Sequence, residues 1–89
     1  MKLVINSQYG GFSVSEEFAK KYNINMYDVE RLRNFQPLID AIENGENVNG
    51  KCARLEVVEL PEETTDYVIN EYDGLEELLY VVDGKINCA

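Results

Sequence analysis

The chain has no histidine, and that absence removes several chemistries at once. Without an imidazole there is no Ser–His or Cys–His nucleophile pair. Cysteine is nearly as scarce: Cys52 and Cys88 are the whole thiol inventory, with no CxxC, so a tetrahedral zinc site lacks its ligands too. With no export signal the two thiols are expected to be reduced rather than bridged. Long apolar runs are missing as well. Nothing approaches the roughly 20 residues that cross a bilayer, and the apolar stretch in Met1-Lys2-Leu3-Val4-Ile5-Asn6 is too short for a signal-peptide core. The expectation is a cytoplasmic protein without a membrane partner.

Positive charge is the next scarcity. Residues 55–89 hold one base, Lys85, against ten acids: Glu56, Glu59, Glu62, Glu63, Asp66, Glu71, Asp73, Glu76, Glu77 and Asp83. Residues 1–54 carry seven acids and seven bases, so the whole net charge of −9 lies in the last 35 residues. A field of one sign repels nucleic acid and anionic membrane and attracts basic partners. Two readings follow. The acids keep a small protein soluble, or they form a surface that imitates a phosphate backbone and occupies a nucleic-acid-binding groove.

What is present makes one α+β domain. Eighty-nine residues are too few to divide, and surface scaling gives a folded area of about 5,300 Å² against about 14,800 Å² unfolded, enough for a modest core. Lys2–Asn6 reads as a strand with an uninterrupted apolar centre. Ser13, with Glu16 three residues on, reads as a capping box opening a helix. Val14, Phe18 and Tyr22 line one face of that helix, Lys20 and Lys21 suit its last turn, and Asn23 and Asn25 are expected to end it. Met26–Val29 reads as a loop or a short extended piece. Asn34 is the expected cap of a second helix over 35–44, with Pro37 tolerated in its first turn, Phe35, Leu38, Ile39 and Ile42 buried, and Gly45 as a left-handed stop. Leu55–Leu60 and Tyr67–Tyr72 read as strands. Leu75–Val82 reads as another, although Leu75-Glu76-Glu77-Leu78-Leu79 also has helical spacing. Asp83-Gly84 signals a hairpin leading to a short edge strand. The order β-α-α-β-β-β implies a two-layer domain, a small, mostly antiparallel sheet with two helices on one face.

Candidate sites are few. The acids are scattered as solvated acids are, so paired-carboxylate catalysis is not expected, and neither a cofactor nor a metal is implied. Gly10-Gly11, between a strand and a helix, is placed where backbone N–H groups turn towards an anion, with Tyr9, Arg31 and Arg33 as companions. The same glycines serve equally as a tight turn that needs positive φ, and the pair matches neither GxxxxGK[ST] nor GxGxxG. Six tyrosines and no tryptophan suit core edges and interfaces alike; Tyr72 and Tyr9 are the two favoured for a contact surface. Arg31 and Arg33 are expected to pair with the acidic strands, within the molecule or across a homodimer.

Three pieces together resemble a group of short bacteriophage and prophage proteins without an assigned function. They are Lys2-Leu-Val-Ile-Asn6 with Tyr9-Gly-Gly-Phe-Ser13; Arg33-Asn-Phe-Gln-Pro-Leu-Ile39; and Leu55-Glu-Val-Val-Glu-Leu-Pro61 with Glu71-Tyr-Asp-Gly-Leu-Glu76. The chain departs from that pattern at Asn34-Phe35-Gln36, where a small polar residue and an acid are expected before Pro37, and again after Glu77. The resemblance brings no catalytic residues. It implies an accessory role: binding a host protein, such as a nucleic-acid-binding defence protein, and inhibiting or modulating it. Here the surface for that role is Glu56, Glu59, Glu62, Glu63, Glu71, Asp73, Glu76 and Glu77 with Tyr72 as apolar anchor. The alternatives are a phosphate-bearing ligand such as a nucleotide signal at Gly10-Gly11, and a structural or virion accessory subunit.

Overall fold

Leu3-Val4-Ile5 is apolar without interruption because strand β1 (Lys2–Asn6) is covered on both faces. In the computed structural model, which describes all 89 residues, β1 pairs antiparallel with β2 (Leu55–Glu59), with Leu3 opposite Val58 and Val4 opposite Val57. Alternation along a strand sends successive side chains to opposite sides. Val4, Leu55 and Val57 therefore meet the helices, in a core with Phe12, Phe18, Leu32, Leu38 and Ile39. Leu3, Ile5, Val58 and Leu60 point the other way and pack on Leu78, Ile69 and Tyr80 of a second ladder. Full burial of a side chain such as Leu32, Leu38 or Leu78 contributes about 1.5–3 kcal/mol.

The second ladder is the meander β3 (Thr64–Tyr72), β4 (Leu75–Val82) and β5 (Lys85–Cys88), antiparallel throughout. The fold is thus α+β, with antiparallel strands and helices on one face of β1–β2. The strands divide between ladders of two and three because β1 has apolar residues on both faces and needs a cover on each. Helices, β1–β2 and β3–β4–β5 stack in that order, extending the molecule to 41 × 25 × 21 Å.

Three helices are present where two were expected, and their starts differ from the sequence reading. Helix α1 (Glu16–Tyr22) is capped by Ser15, whose Oγ accepts the Phe18 N–H at 3.2 Å. Ser13 is not the cap. It is buried, its carbonyl accepts the Gly50 N–H, and Val14 bridges Asn49, which holds the chain extended for two further residues. Asn23 ends the helix in the left-handed region, as its position implied. Residues 29–32 form a single turn, α2 (Val29–Leu32), capped by Asp28 and driven by the fully buried Leu32. The loop or extended reading of this segment therefore stops at Asp28. Helix α3 (Gln36–Glu43) begins after Phe35 rather than Asn34, with no side-chain cap. Packing places Phe35 instead: its ring sits edge-on to Phe18 and Tyr22, 6.2 and 5.3 Å between centroids. Pro37 lies in the first turn and Gly45 at φ 80° follows the end.

Strand β3 starts at Thr64, three residues before the apolar signal, across an irregularity between Thr64 and Asp66. Leu75–Leu79 is strand and not a helical turn, because pairing to β3 puts Leu78 inward and Leu75 and Leu79 on the opposite side. Both Asp-Gly pairs, 73–74 and 83–84, have positive φ at each residue, the requirement of a type I′ hairpin. No helix is long and apolar enough to cross a membrane.

Candidate functional site: a tyrosine-tipped junction on an acidic ladder

Asn6, at the end of β1, is completely buried, and its side-chain amide joins three segments far apart in sequence. Its Nδ2 donates to the carbonyls of Gln8 (2.8 Å) and Gly74 (2.7 Å), while its Oδ1 accepts the Arg54 N–H at 2.8 Å. The Gly10 N–H donates to the Asp73 carbonyl at 2.7 Å. The glycine loop is therefore clamped on the β3–β4 turn. That approach needs bare glycine, since a Cβ on Gly74 would run into the Gly11 backbone. The Glu71 carboxylate closes the turn by accepting the Gly74 N–H. On this base stand Tyr9 and Tyr72, 61% and 71% exposed, ring centroids 6.4 Å apart and nearly perpendicular. Edge-to-face pairs of this kind contribute about 0.5–1.5 kcal/mol, so the rings hold each other in place while most of their surface faces solvent.

Asn6→Ala should cost about 2–3 kcal/mol in a urea titration, because it strands buried partners on three segments. Asn6→Asp should cost more, since a carboxylate cannot donate to the two carbonyls. A loss below about 1 kcal/mol for both would show that the amide does not join these segments.

Glu76 and Arg33 lie beneath this junction. Their side chains are 7% and 16% exposed and form a two-pronged pair, Nη1–Oε1 at 3.1 Å and Nη2–Oε2 at 2.8 Å. Glu76 also accepts the Asn6 N–H, and Arg33 donates to the Val4 carbonyl, each at 2.8 Å. The guanidinium lies over the Phe12 ring, 5.2 Å from its centroid. Arg33 thus pairs within the molecule, as expected, whereas Arg31, expected to do the same, is exposed and has no ion-pair partner.

The acids expected to meet a partner divide accordingly. Glu56, Glu59, Glu62, Glu63, Glu71, Asp73 and Glu77 are exposed, as is Tyr72. Glu76 is not available to a partner, because its carboxylate is consumed by Arg33 and Asn6. The exposed acids do not form one flat patch. Glu62 and Glu63 precede β3 and Glu71 and Asp73 lie at its far end, about 25–30 Å away by strand rise. Glu77 accepts the Cys88 thiol proton at 3.5 Å, and that hydrogen bond, helped by desolvation and the carboxylate's charge, raises the Cys88 pKa above its ordinary value.

The phosphate-site grouping of Tyr9, Gly10, Gly11, Arg31 and Arg33 is not assembled. The Gly10 N–H is spent on Asp73, Arg33 is neutralised by Glu76, and Arg31 is exposed on α2. The positive φ values of Gly10 (118°) and Gly11 (105°) serve the clamp on the turn. No cluster of three or more His, Cys, Asp or Glu side chains is placed to hold a metal ion. Asn6 was invisible as a functional residue in sequence; its one signal was a polar residue ending an apolar strand. Comparison of the chain with family models, with curated proteins and with solved structures finds no match.

Proposed function

We propose that the protein is a non-enzymatic binding module whose acidic C-terminal ladder, anchored by Tyr9 and Tyr72, engages a basic surface on another protein. One observation carries this reading: of the ten acids in residues 55–89, only Glu76 has an ion-pair partner. A charge excess left without internal counter-ions acts outward, steering a basic partner and raising its rate of encounter. Exposed, mutually braced tyrosines beside it supply what charge alone lacks, since binding energy concentrates in rigid aromatic anchors. In the setting implied by the phage-protein resemblance, the partner is a host protein that ordinarily holds nucleic acid, and occupation of its groove inhibits it.

The test is capture from a bacterial lysate at low and high salt, repeated with Glu56, Glu62, Glu63 and Glu77 all changed to Lys. A basic nucleic-acid-binding protein should be retained at low salt and released by high salt. The charge-reversed variant should bind it at least tenfold more weakly, with a flatter salt dependence. Equal retention by the two forms would remove the acidic surface from the explanation.

A further inference from the structure

Strands β1, β2, β3 and β5 each have one side unpaired by a neighbouring strand, and β1 and β3 are treated differently. On β1, the Val4 N–H donates to the Arg33 carbonyl, the Val4 carbonyl accepts from the Arg33 guanidinium, and the Asn6 N–H donates to Glu76. That side is closed. On β3, the Tyr67 N–H turns away from β4 to its neighbour's carboxylate, Asp66 Oδ1, at 2.8 Å. Alternation of the antiparallel ladder then makes Tyr67, Ile69 and Glu71 the residues whose backbone groups point outward. The open side borders a groove of about 510 Å³ lined by Tyr67, Ile69 and Glu71 of β3 together with Glu30, Arg33, Asn34 and Leu3. Arg33 is neutralised by Glu76, which leaves the charge of Glu30 and Glu71 facing the space.

We propose that this groove takes an extended, basic peptide segment of a partner protein as an additional strand on β3. Main-chain bonds to Ile69 and Glu71 would hold the segment, and its lysine or arginine side chains would reach Glu30 and Glu71. The proposal rests on the reading that the acidic half recognises a basic protein, and adds where and how. A second copy of the chain fits poorly, because β3 carries Asp66 and Glu71 and no base, so self-pairing sets like charges side by side.

The probe is a blocked, fluorophore-labelled peptide of alternating arginine and valine, as long as the nine residues of β3, compared with the same peptide N-methylated at every residue. The two share charge, but only the first can donate to a strand. Unmethylated peptide should bind at least about tenfold more tightly, the threshold set by one lost set of ladder bonds. It should shift the amide resonances of Ile69 and Glu71, and bind more weakly to the Glu30→Arg protein. Equal binding of both peptides would overturn strand addition while leaving the acidic-surface reading intact. Failure of both to bind at low salt would overturn both. A dimer through β3 that the peptide cannot dissociate would give the open side to a second copy instead.

Discussion

Arg33→Met should lower the thermal midpoint by about 15 °C, the shift that roughly 3 kcal/mol produces in a domain of this size. Removing the guanidinium leaves the Glu76 carboxylate, 7% exposed, with one remaining donor, the Asn6 N–H, and leaves the Val4 carbonyl unpaired. A charge stranded in this way costs more than the pair itself contributes. The double variant Arg33→Met with Glu76→Leu should therefore recover part of the loss, although it breaks the same bonds. Thermal unfolding followed by circular dichroism decides the matter. A midpoint within about 3 °C of the parent for the single variant would mean that water reaches Glu76 and that the pair behaves as a surface one, worth about 1 kcal/mol or less.

The second large effect sets two turns of the same sequence against each other. Gly74→Ala and Gly84→Ala both place a Cβ in the left-handed region, at φ 90° and 72°, a cost of about 1–2 kcal/mol. Beyond Gly84 there is open space, whereas a methyl group on Gly74 meets the backbone of Gly11 and Gly10. Gly84→Ala should cost only the conformational penalty. Gly74→Ala should cost at least about 3 kcal/mol, since backbone cannot give way as a side chain can. It should also separate Tyr9 from Tyr72, and the proposed binding to a basic partner should weaken with it. Similar stabilities in a parallel urea titration would mean that the glycine loop does not clamp the turn.

Much of this architecture was legible from local chemistry. Leu3-Val4-Ile5, the apolar content of Leu55–Leu60 and Leu75–Val82, and the Asp83-Gly84 turn each carry their own instruction, and β1, β2, β4 and the β4–β5 hairpin stand where those signals put them. The misreadings arose where a distant segment decided the outcome. Ser13 has good capping chemistry, but Asn49 and Gly50 hold that stretch extended. Asn34 is a better cap than Phe35 by type, yet the Phe35 ring is fixed by Phe18 and Tyr22. The site shows the same limit. The tyrosines and exposed acids could be named from composition and spacing. The burial of Glu76 and the joining role of Asn6 depend on partners between 43 and 70 residues away, such as Arg33 and Gly74, and no local pattern encodes such pairs.

The pairing of β1 with β2, Asn6 opposite Leu55, also governs the order in which the chain can acquire structure. The β3–β4–β5 meander is joined by two-residue turns, and hairpins of that kind close within about 1–10 μs. The first strand must instead wait for a partner some fifty residues later, and gains its second cover only when Leu78 is in place. Closing so long a loop is entropically costly before any burial compensates. On a ribosome delivering about 5–20 residues per second, the N-terminal half stays without its central strand pair for seconds. Strand β1 is therefore among the last elements to be locked in, after the local hairpin that supplies Leu78 to its second face.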